Sequence, residues 1–455
     1  MEKSLCLCAF VVNDMQFLHR SYRGLCLIIM LILSGCAGNY HDTMRPVYQA
    51  VQSGNYQQAD ELLDREPGVT EGNERLLYLL DKGLIAHLNG HYADSNRYFE
   101  QAVWQFEALD YVSVTGTASE WILTELGQPY RGEDFEQVMV HYYMALNYLM
   151  LDELEEALVE CRRLNTLLRE LNGRYEQKNV YKTDAFIRYL SGLIYEAMGE
   201  INDAFIDYRR AYDTYTSDYD AFYGTAVPTQ LHENLLRTAS TLGFHDVVEQ
   251  YSSEQSAITG PTQADLREFA RLVIIWDNGL IPYKVQRIYR DYIGLDDRRD
   301  DMDGCYLKFA FPMFVPRPSL FTHATVRVAG QSRQLELVDD LSQIAMKNLE
   351  DRRLRTLAKA MTRNVLKCAA GHELEQQNEA LGWLFALFTE ITEQADTRSW
   401  LLLPANIHMT EMLVPPGTAD VTISYSNPFG QPGMARVNSM SFEAGRTTFL
   451  IQRTF

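Results

Sequence analysis

Helical periodicity with a repeated turn dominates the first part of the chain. Four segments share one pattern, in which a glycine or aspartate is followed two positions later by a bulky residue and five positions later by a small one. They read Gly54-x-Tyr56-x-x-Ala59, Gly90-x-Tyr92-x-x-Ser95, Asp152-x-Leu154-x-x-Ala157 and Gly199-x-Ile201-x-x-Ala204. Apolar positions spaced by three and four on both sides of a turn residue predict pairs of helices. The repetition therefore predicts a series of such pairs.

Small residues recur where the paired helices would touch. Gly83, Ala145 and Gly192 each stand seven residues before a turn, where a bulky side chain would hold the helices apart. The residues that we predict to pack the repeats are Gly83, Ala145, Ala157, Gly192, Ala204 and Ala211. The pattern resembles the tetratricopeptide repeat (TPR), a helix–turn–helix hairpin that stacks into an α-solenoid. This resemblance implies a TPR-like helical repeat domain over residues 45–295.

Such a solenoid has a concave groove lined by the first helix of each hairpin. The repeat register places apolar or aromatic residues of three hairpins in this groove. They are Leu77, Leu80 and Leu84, then Met139, Tyr142 and Leu146, then Phe186, Tyr189 and Leu193. This lining favours an apolar helix or strand as the occupant. The occupant could be a protein partner or a part of the chain itself, and the helical insertions between the repeats favour the chain itself.

The hydrophobic period changes to two after about residue 305, which predicts β-strands. Alternating segments lie at 306–315, 324–329 and 333–338, and again at 405–413, 419–425, 435–442 and 447–453. A helical pattern interrupts them at about 340–395. We therefore predict an α+β multidomain fold, with the α-solenoid followed by a β-sandwich-like module at 305–455 that carries a helical insertion.

The first residues have the layout of an export signal. Basic residues precede an apolar, uncharged run at 24–33, and small residues follow it. The run is too short to span a hydrocarbon core as a helix. This layout predicts a secretory signal peptide at 1–35, with Met15 as an alternative start.

The segment Leu33-Ser-Gly-Cys36 resembles a bacterial lipobox, in which the cysteine is acylated after cleavage. The resemblance implies lipidation at Cys36, followed by a lipidated tether at 36–44. Acyl chains on Cys36 would hold the protein to a membrane without a spanning helix. Ala37, by the same resemblance, implies an outer-membrane location facing the periplasm.

Composition excludes several classes of function. The chain has 41 Lys+Arg against 61 Asp+Glu, and its net charge of −20 argues against nucleic-acid binding, which needs a basic surface. Seven cysteines among 455 residues are too few for a disulfide scaffold.

Motifs for catalysis and for metal binding are missing from the sequence. His87 and His91 have helical spacing but no third ligand nearby, and the acidic stretch 296–304 lacks the carboxylates of a calcium loop at the required positions, so it fits a solvated linker. No nucleophile elbow, phosphate loop or H-E-x-x-H segment is present. We therefore predict no catalytic residue, no metal, no cofactor and no small-molecule substrate.

Two longer motifs carry a family resemblance. Tyr130-Arg-Gly-Glu-Asp-Phe-Glu136 and Ala395-Asp-Thr-Arg-Ser-Trp400 resemble those of a family of Gram-negative TPR-containing outer-membrane lipoproteins with no established activity. The resemblance implies a protein-interaction scaffold in cell-envelope assembly, with envelope proteins as partners and an association with peptidoglycan synthesis. The alternatives are an enzyme acting on the cell wall or a glycan, and a structural subunit of an export or secretion complex. For Arg398 and Trp400 we expect an internal Arg–carboxylate pair with the tryptophan packed at the domain joint.

Overall fold

The computed structural model describes residues 40–66, 70–115, 128–173, 181, 183–252, 260–294, 304–352 and 394–455. Residues 1–46 form one compact unit and residues 47–455 another. Of the first unit only residues 40–46 are described, and they begin a helix. Cys36, the predicted linker at 296–303 and most of the predicted helical insertion lie outside the described residues.

Twelve α-helices lie before the first strand in the ranges just given. They are α1 (Tyr40–Gln52), α2 (Tyr56–Asp64), α3 (Arg75–Leu88), α4 (Tyr92–Thr115), α5 (Asp134–Met150), α6 (Leu154–Gly173), α7 (Ala185–Ala197), α8 (Ile201–Thr214), α9 (Asp220–Tyr223), α10 (Thr229–Thr241), α11 (His245–Ser252) and α12 (Asp265–Glu268). Residues 341–352 are also helical. Helices α3/α4, α5/α6, α7/α8 and α10/α11 pack as consecutive hairpins. Helix α1 already begins at Tyr40, so the predicted tether at 36–44 is too long.

The turns of these hairpins share one backbone conformation. Gly90, Gly199 and Gly243 have φ angles of 78°, 82° and 77°, in the left-handed region that glycine adopts without strain. Asp152 takes the same position between α5 and α6 with a φ of 65°. Its carboxylate accepts a hydrogen bond of 2.5 Å from Arg446 Nη2. The turn geometry is thus retained where the glycine is not.

The small residues lie where the two helices of a hairpin meet. A Cβ atom built on Gly83 would stand 2.5 Å from the Phe99 ring, and one built on Gly192 would stand 2.5 Å from the Tyr208 ring. Such distances are far below van der Waals contact, so these positions admit only glycine without a shift of the ring. The four alanines at the other packing positions are buried; they are Ala145, Ala157, Ala204 and Ala211.

The described residues also form ten β-strands. They are β1 (Ala270–Asn278), β2 (Tyr283–Gly294), β3 (Gly304–Val315), β4 (His323–Val328), β5 (Gln331–Gln334), β6 (Glu336–Asp339), β7 (Asn406–Val414), β8 (Gly417–Ser426), β9 (Pro432–Phe442) and β10 (Thr447–Thr454). The prediction that the helical domain extends to residue 295 is therefore wrong, since strands begin at Ala270. Every residue of β1 is buried. A strand buried on both faces loses the alternation that identifies strands in a sequence.

Two four-stranded sheets share one hydrophobic core. Their strand orders are β10-β1-β7-β6 and β5-β4-β8-β9, while β2 and β3 form a separate two-stranded ribbon. Strand β1 is parallel to β10 and antiparallel to β7. Leu272, Ile274 and Trp276 on one face of β1 join the core together with Val326 and Ile423 of the second sheet. The arrangement is a β-sandwich, as the period-two segments predicted.

The segment predicted as one strand at 333–338 is split in the structure. Strand β5 pairs with β4 in the second sheet, whereas β6 pairs with β7 in the first sheet. Leu335 lies between them and is buried in the shared core. The chain thus crosses from one sheet to the other at Leu335, which closes a corner of the sandwich.

Candidate functional site

The inner face of the hairpins is covered rather than open. All nine positions that the sequence assigns to the groove are at most 3% exposed; they are Leu77, Leu80, Leu84, Met139, Tyr142, Leu146, Phe186, Tyr189 and Leu193. The described residues that cover the two tyrosines come from strands of the sandwich. Among the described residues, β-sheet of the same chain thus covers these tyrosines, and most of the helical insertions expected as filler lie outside those residues.

Strand β1 presents its second face to helix α5. The hydroxyl groups of Tyr142 and Tyr143 donate hydrogen bonds of 2.8 Å to the two oxygens of Asp277. Burial raises the pKa of Asp277, while Arg453 and the two tyrosine hydroxyls lower it. Each carboxylate oxygen therefore has a donor from the groove, and the contact is polar although the groove lining is mostly apolar.

Strand β7 makes the corresponding contact with helices α7 and α10 through Glu411. Its carboxylate accepts hydrogen bonds from the Tyr189 hydroxyl and, at 2.8 Å, from Asn234 Nδ2. Its backbone is held as well, because Gln230 Oε1 accepts from Glu411 N at 2.8 Å and Gln230 Nε2 donates to Glu411 O at 2.7 Å. The side-chain amide of Gln230 therefore pairs with the strand as a neighbouring strand would.

Four charged residues, Glu196, Arg237, Arg271 and Glu411, form a buried ion cluster at this contact. Glu196 and Arg237 belong to helices α7 and α10, and Arg271 and Glu411 belong to strands β1 and β7. Arg271 donates to Glu196 at 2.7 Å through Nη1 and to Glu411 at 2.7 Å through Nε. Arg237 Nη2 lies 2.8 Å from Glu196 Oε2. The side chains are at most 7% exposed, so solvent screens these charges little.

The charges of the cluster compensate one another. Burial alone would raise the pKa of Glu196, but Arg271 and Arg237 outweigh it and lower the pKa to about 2. The carboxylates of Glu411 and Glu196 in turn raise the pKa of Arg271, and their effect outweighs that of its burial. Glu196 and Arg271 are thus held in their charged forms at neutral pH. Losing one partner would leave an uncompensated charge in a dry environment.

The motifs at 130–136 and 395–400 meet at a second contact. Glu136 Oε1 accepts a hydrogen bond of 2.7 Å from the backbone N–H of Trp400, and Glu136 Oε2 accepts one of 2.5 Å from the Tyr130 hydroxyl. Arg398 pairs with Asp396 at 2.7 Å, and its guanidinium lies 5.4 Å from the centre of the Tyr130 ring. Trp400 is fully buried. The expected internal Arg–carboxylate pair with a packed tryptophan is confirmed.

The motif at 130–136 also contacts the β2–β3 ribbon. Glu133 pairs with Lys284 of β2, and it accepts a hydrogen bond of 2.7 Å from Arg352 at the end of the helical residues 341–352. Burial opposes ionisation of Glu133, but Lys284 and Arg352 lower its pKa to about 2. Residues of this motif therefore connect the start of helix α5 to the β2–β3 ribbon, to the helical residues 341–352 and to the segment 395–400.

A third contact combines two buried carboxylates. Asp184 caps α7, accepting from Ile187 N at 2.8 Å and from the Tyr181 hydroxyl at 2.6 Å. Asp339 of β6 is 2% exposed, and its Oδ1 has no hydrogen-bond partner among the described residues. Burial raises the pKa of both carboxyl groups, and the charge of Asp184 raises that of Asp339 further. The protonated form of Asp339 is therefore favoured by the fold.

Replacing Asp339 with asparagine should stabilise the protein at pH 8. A carboxyl group whose pKa is raised in the folded state favours folding most at pH values below its unfolded pKa near 4. That contribution to stability is lost as the pH rises through the folded pKa. Asp339→Asn removes the charge and keeps the shape, so we expect a gain of about 1–3 kcal/mol at pH 8 and a smaller one at pH 4. Urea unfolding at both pH values measures this. The exposed Asp420→Asn is the control, and a loss of stability in Asp339→Asn at pH 8 would contradict the assignment.

His87 has a structural role here. It is buried, its Nδ1 lies 2.6 Å from Asn147 Oδ1, and burial lowers its pKa to about 4.

Within the described ranges no group of three or more His, Cys, Asp or Glu side chains could hold a metal ion. Nor does any helix in that part of the chain have the length and apolar character to cross a membrane.

Sequence reasoning missed the polar residues that make these contacts. Arg271 and Asp277 are the charged positions of the run Ala-Arg-Leu-Val-Ile-Ile-Trp-Asp-Asn at 270–278, and Glu411 stands in Ile-His-Met-Thr-Glu-Met-Leu-Val at 407–414. A charged residue inside an otherwise apolar run is a signal that a partner charge must be buried beside it. That signal is available from the sequence, although the identity of the partner is not.

Comparison with known proteins finds helical-repeat structures. MamA is 15% identical over 45% of this chain and 90% of its own, with a TM-score of 0.28. The apo form of RapI is 13% identical over 50% of this chain and 56% of its own, with a TM-score of 0.35. A Podosopora anserina protein with nearly identical TPR-like repeats is 14% identical over 48% of this chain and 94% of its own, with a TM-score of 0.30. Such low identities and TM-scores give no basis for transferring a function. No protein-family model and no curated protein matches the sequence.

Proposed function

We propose that this protein is an interaction scaffold of the cell envelope, held to the outer membrane by acyl chains on Cys36 and facing the periplasm. The observation that carries the scaffold proposal is the joining of helical hairpins and β-sandwich through buried, charge-compensated contacts. Stacked hairpins form extended binding surfaces, and the sandwich adds a second surface fixed relative to the first. Because the inner face is occupied by β1 and β7, partners bind the outer surfaces of this body.

The membrane anchor rests on the lipobox resemblance of Leu33-Ser-Gly-Cys36. More than one acyl chain holds a protein stably to a bilayer, whereas a single chain does so only marginally. The role in envelope assembly, with an association to peptidoglycan synthesis, rests on the family resemblance of the motifs at 130–136 and 395–400. In the structure these motifs serve the contact between helices and sandwich, which fits a requirement for a rigid body.

Replacing Cys36 with alanine should abolish labelling of the protein by a fatty-acid analogue and release it from the membrane fraction. The thiolate of Cys36 is the acceptor of the lipid in a lipobox, and alanine offers none. Metabolic labelling followed by fractionation of cells measures both effects. Cys161→Ala is the matched control, because Cys161 is a buried thiol inside helix α6 and should leave labelling unchanged. Persistent labelling of Cys36→Ala would rule out the anchor.

The scaffold proposal is tested by placing a photo-crosslinking residue at an outer and at an inner position. Trp104 is 67% exposed on helix α4, whereas Tyr142 is 1% exposed on the inner face. We expect discrete adducts with envelope proteins from the outer position and only internal adducts from the inner one, both identified by mass spectrometry. Adducts with other proteins at Tyr142 would contradict the occupied inner face. Muramidase or amidase turnover by the purified protein would favour an enzyme instead.

A further inference from the structure

A groove of about 840 Å³ with both apolar and polar lining lies between the β2–β3 ribbon and the helical residues 341–352. Its apolar lining includes Phe222, Tyr289, Phe311, Met313, Met346 and Leu349. The Tyr289 and Phe311 rings stack with their centres 5.2 Å apart, which makes one wall flat and aromatic. The volume is within the range of pockets that bind ligands or anchor side chains of a partner.

The rim of this groove concentrates exposed apolar side chains. Tyr289 is 58% exposed, Phe222 44% and Ile288 41%. Scattered exposed apolar residues need no explanation, but a contiguous set around a groove marks an interaction site. Aromatic residues, methionine and arginine are also the residue types enriched in protein interfaces, where methionine adapts its shape to the partner.

Two cationic side chains line the groove. Lys347 is paired within its own helix, at 2.9 Å from Glu350. The Arg287 side chain is exposed and forms no hydrogen bond or ion pair with any residue that the structure describes. In a chain with a net charge of −20, an uncompensated guanidinium beside an apolar groove favours a partner that brings a carboxylate.

One wall of the groove is a helical face. Gln343, Met346, Lys347 and Glu350 line it at spacings of three and four, so they form one helical face opposite the ribbon. A partner helix would pack against this face on one side and against the ribbon on the other. We propose that the groove binds an amphipathic helix of a protein partner, whose apolar stripe fills the groove and whose carboxylate pairs with Arg287. This inference rests on the proposed scaffold function and identifies the kind of partner.

The test uses two synthetic helical peptides of the same apolar stripe, one flanked by glutamates and one by lysines. Fluorescence anisotropy with the purified protein should show binding of the glutamate peptide and at least about tenfold weaker binding of the lysine peptide. Arg287→Glu should weaken binding of the glutamate peptide by about tenfold and strengthen binding of the lysine peptide. Arg327→Glu makes the same change on the exposed face of β4 and should alter neither. Failure of the glutamate peptide to bind, or equal effects of the two variants, would overturn the inference.

Hydroxyl-radical footprinting adds a readout of where the peptide binds. Tyr289 and Phe222 should be modified in the isolated protein and protected when the glutamate peptide is added. Protection already present without the peptide would mean that the chain itself or a second copy covers the groove, and the inference would fall. If this inference fails while crosslinked partners persist at Trp104, the scaffold proposal stands and its partners bind elsewhere. If crosslinked partners are absent altogether, the scaffold proposal fails as well.

Discussion

Replacing Arg271 with methionine is expected to lower the free energy of unfolding by about 3–5 kcal/mol, because the buried carboxyl groups of Glu196 and Glu411 would lose their common partner. Methionine retains much of the volume of the arginine stem, so loss of packing contributes little. Arg237 would still face Glu196, whereas Glu411 would retain only the neutral donors Tyr189 and Asn234. Urea unfolding measures the change.

The matched control for this prediction is Arg327→Met, which removes an exposed guanidinium from β4 and should change stability by less than about 0.5 kcal/mol. A second variant separates charge from geometry. Combining Arg271→Met with Glu411→Gln removes one charge of each sign, so it should recover part of the loss. If Arg271→Met and Arg327→Met had equal effects, the buried ion cluster would not be what joins the sandwich to the hairpins.

Replacing Gly192 with alanine is expected to lower the free energy of unfolding by about 1–3 kcal/mol, although alanine is the better helix former. The added Cβ would meet the Tyr208 ring at 2.5 Å, and the ring cannot move freely because it is fully buried and its hydroxyl donates to Glu196 at 2.9 Å. The strain would thus reach the ion cluster. Thermal or urea unfolding of the single variant measures the effect.

Gly173→Ala provides the same chemical change without the clash. Gly173 ends helix α6 and an added Cβ there would have no neighbour within 4 Å. Its replacement should leave stability unchanged or raise it by up to about 1 kcal/mol. Only Gly192→Ala should therefore lower the free energy of unfolding. Equal and small effects at both sites would mean that Gly192 does not mark a close approach of α7 and α8.

The helical hairpins could be predicted because their packing leaves a local record. Gly83 and Gly192 stand at a constant distance before the turn, and the turn position needs a residue that tolerates positive φ. Most strands of the sandwich could be predicted for a similar reason, since one face of β4 and β8 is buried and the other is exposed. Both signals belong to a single element and do not depend on what lies across from it.

What could not be predicted depends on pairs of elements distant in sequence. Strand β1 reads as an apolar run because it is buried between the second sheet and the hairpins. Tyr142 and Tyr189 look like an apolar lining, yet their hydroxyls donate to Asp277 and Glu411, which lie far along the chain. The sequence therefore indicated that the inner face should be filled, but the identity of the filler depended on contacts that no local pattern records.

The parallel pairing of β1 with β10 has a consequence for how the chain folds. Strand β10 is the last of the ten strands in sequence, and β1 lies between it and β7 in the sheet that covers the hairpins. The hairpins rest on local contacts, whereas the covering sheet pairs β1 with β10, whose residues lie 176 positions later, as for Arg271 and Thr447. We therefore expect a chain whose covering sheet has not yet formed to expose apolar residues of the inner face, such as Leu80 and Leu146, that the folded protein keeps buried.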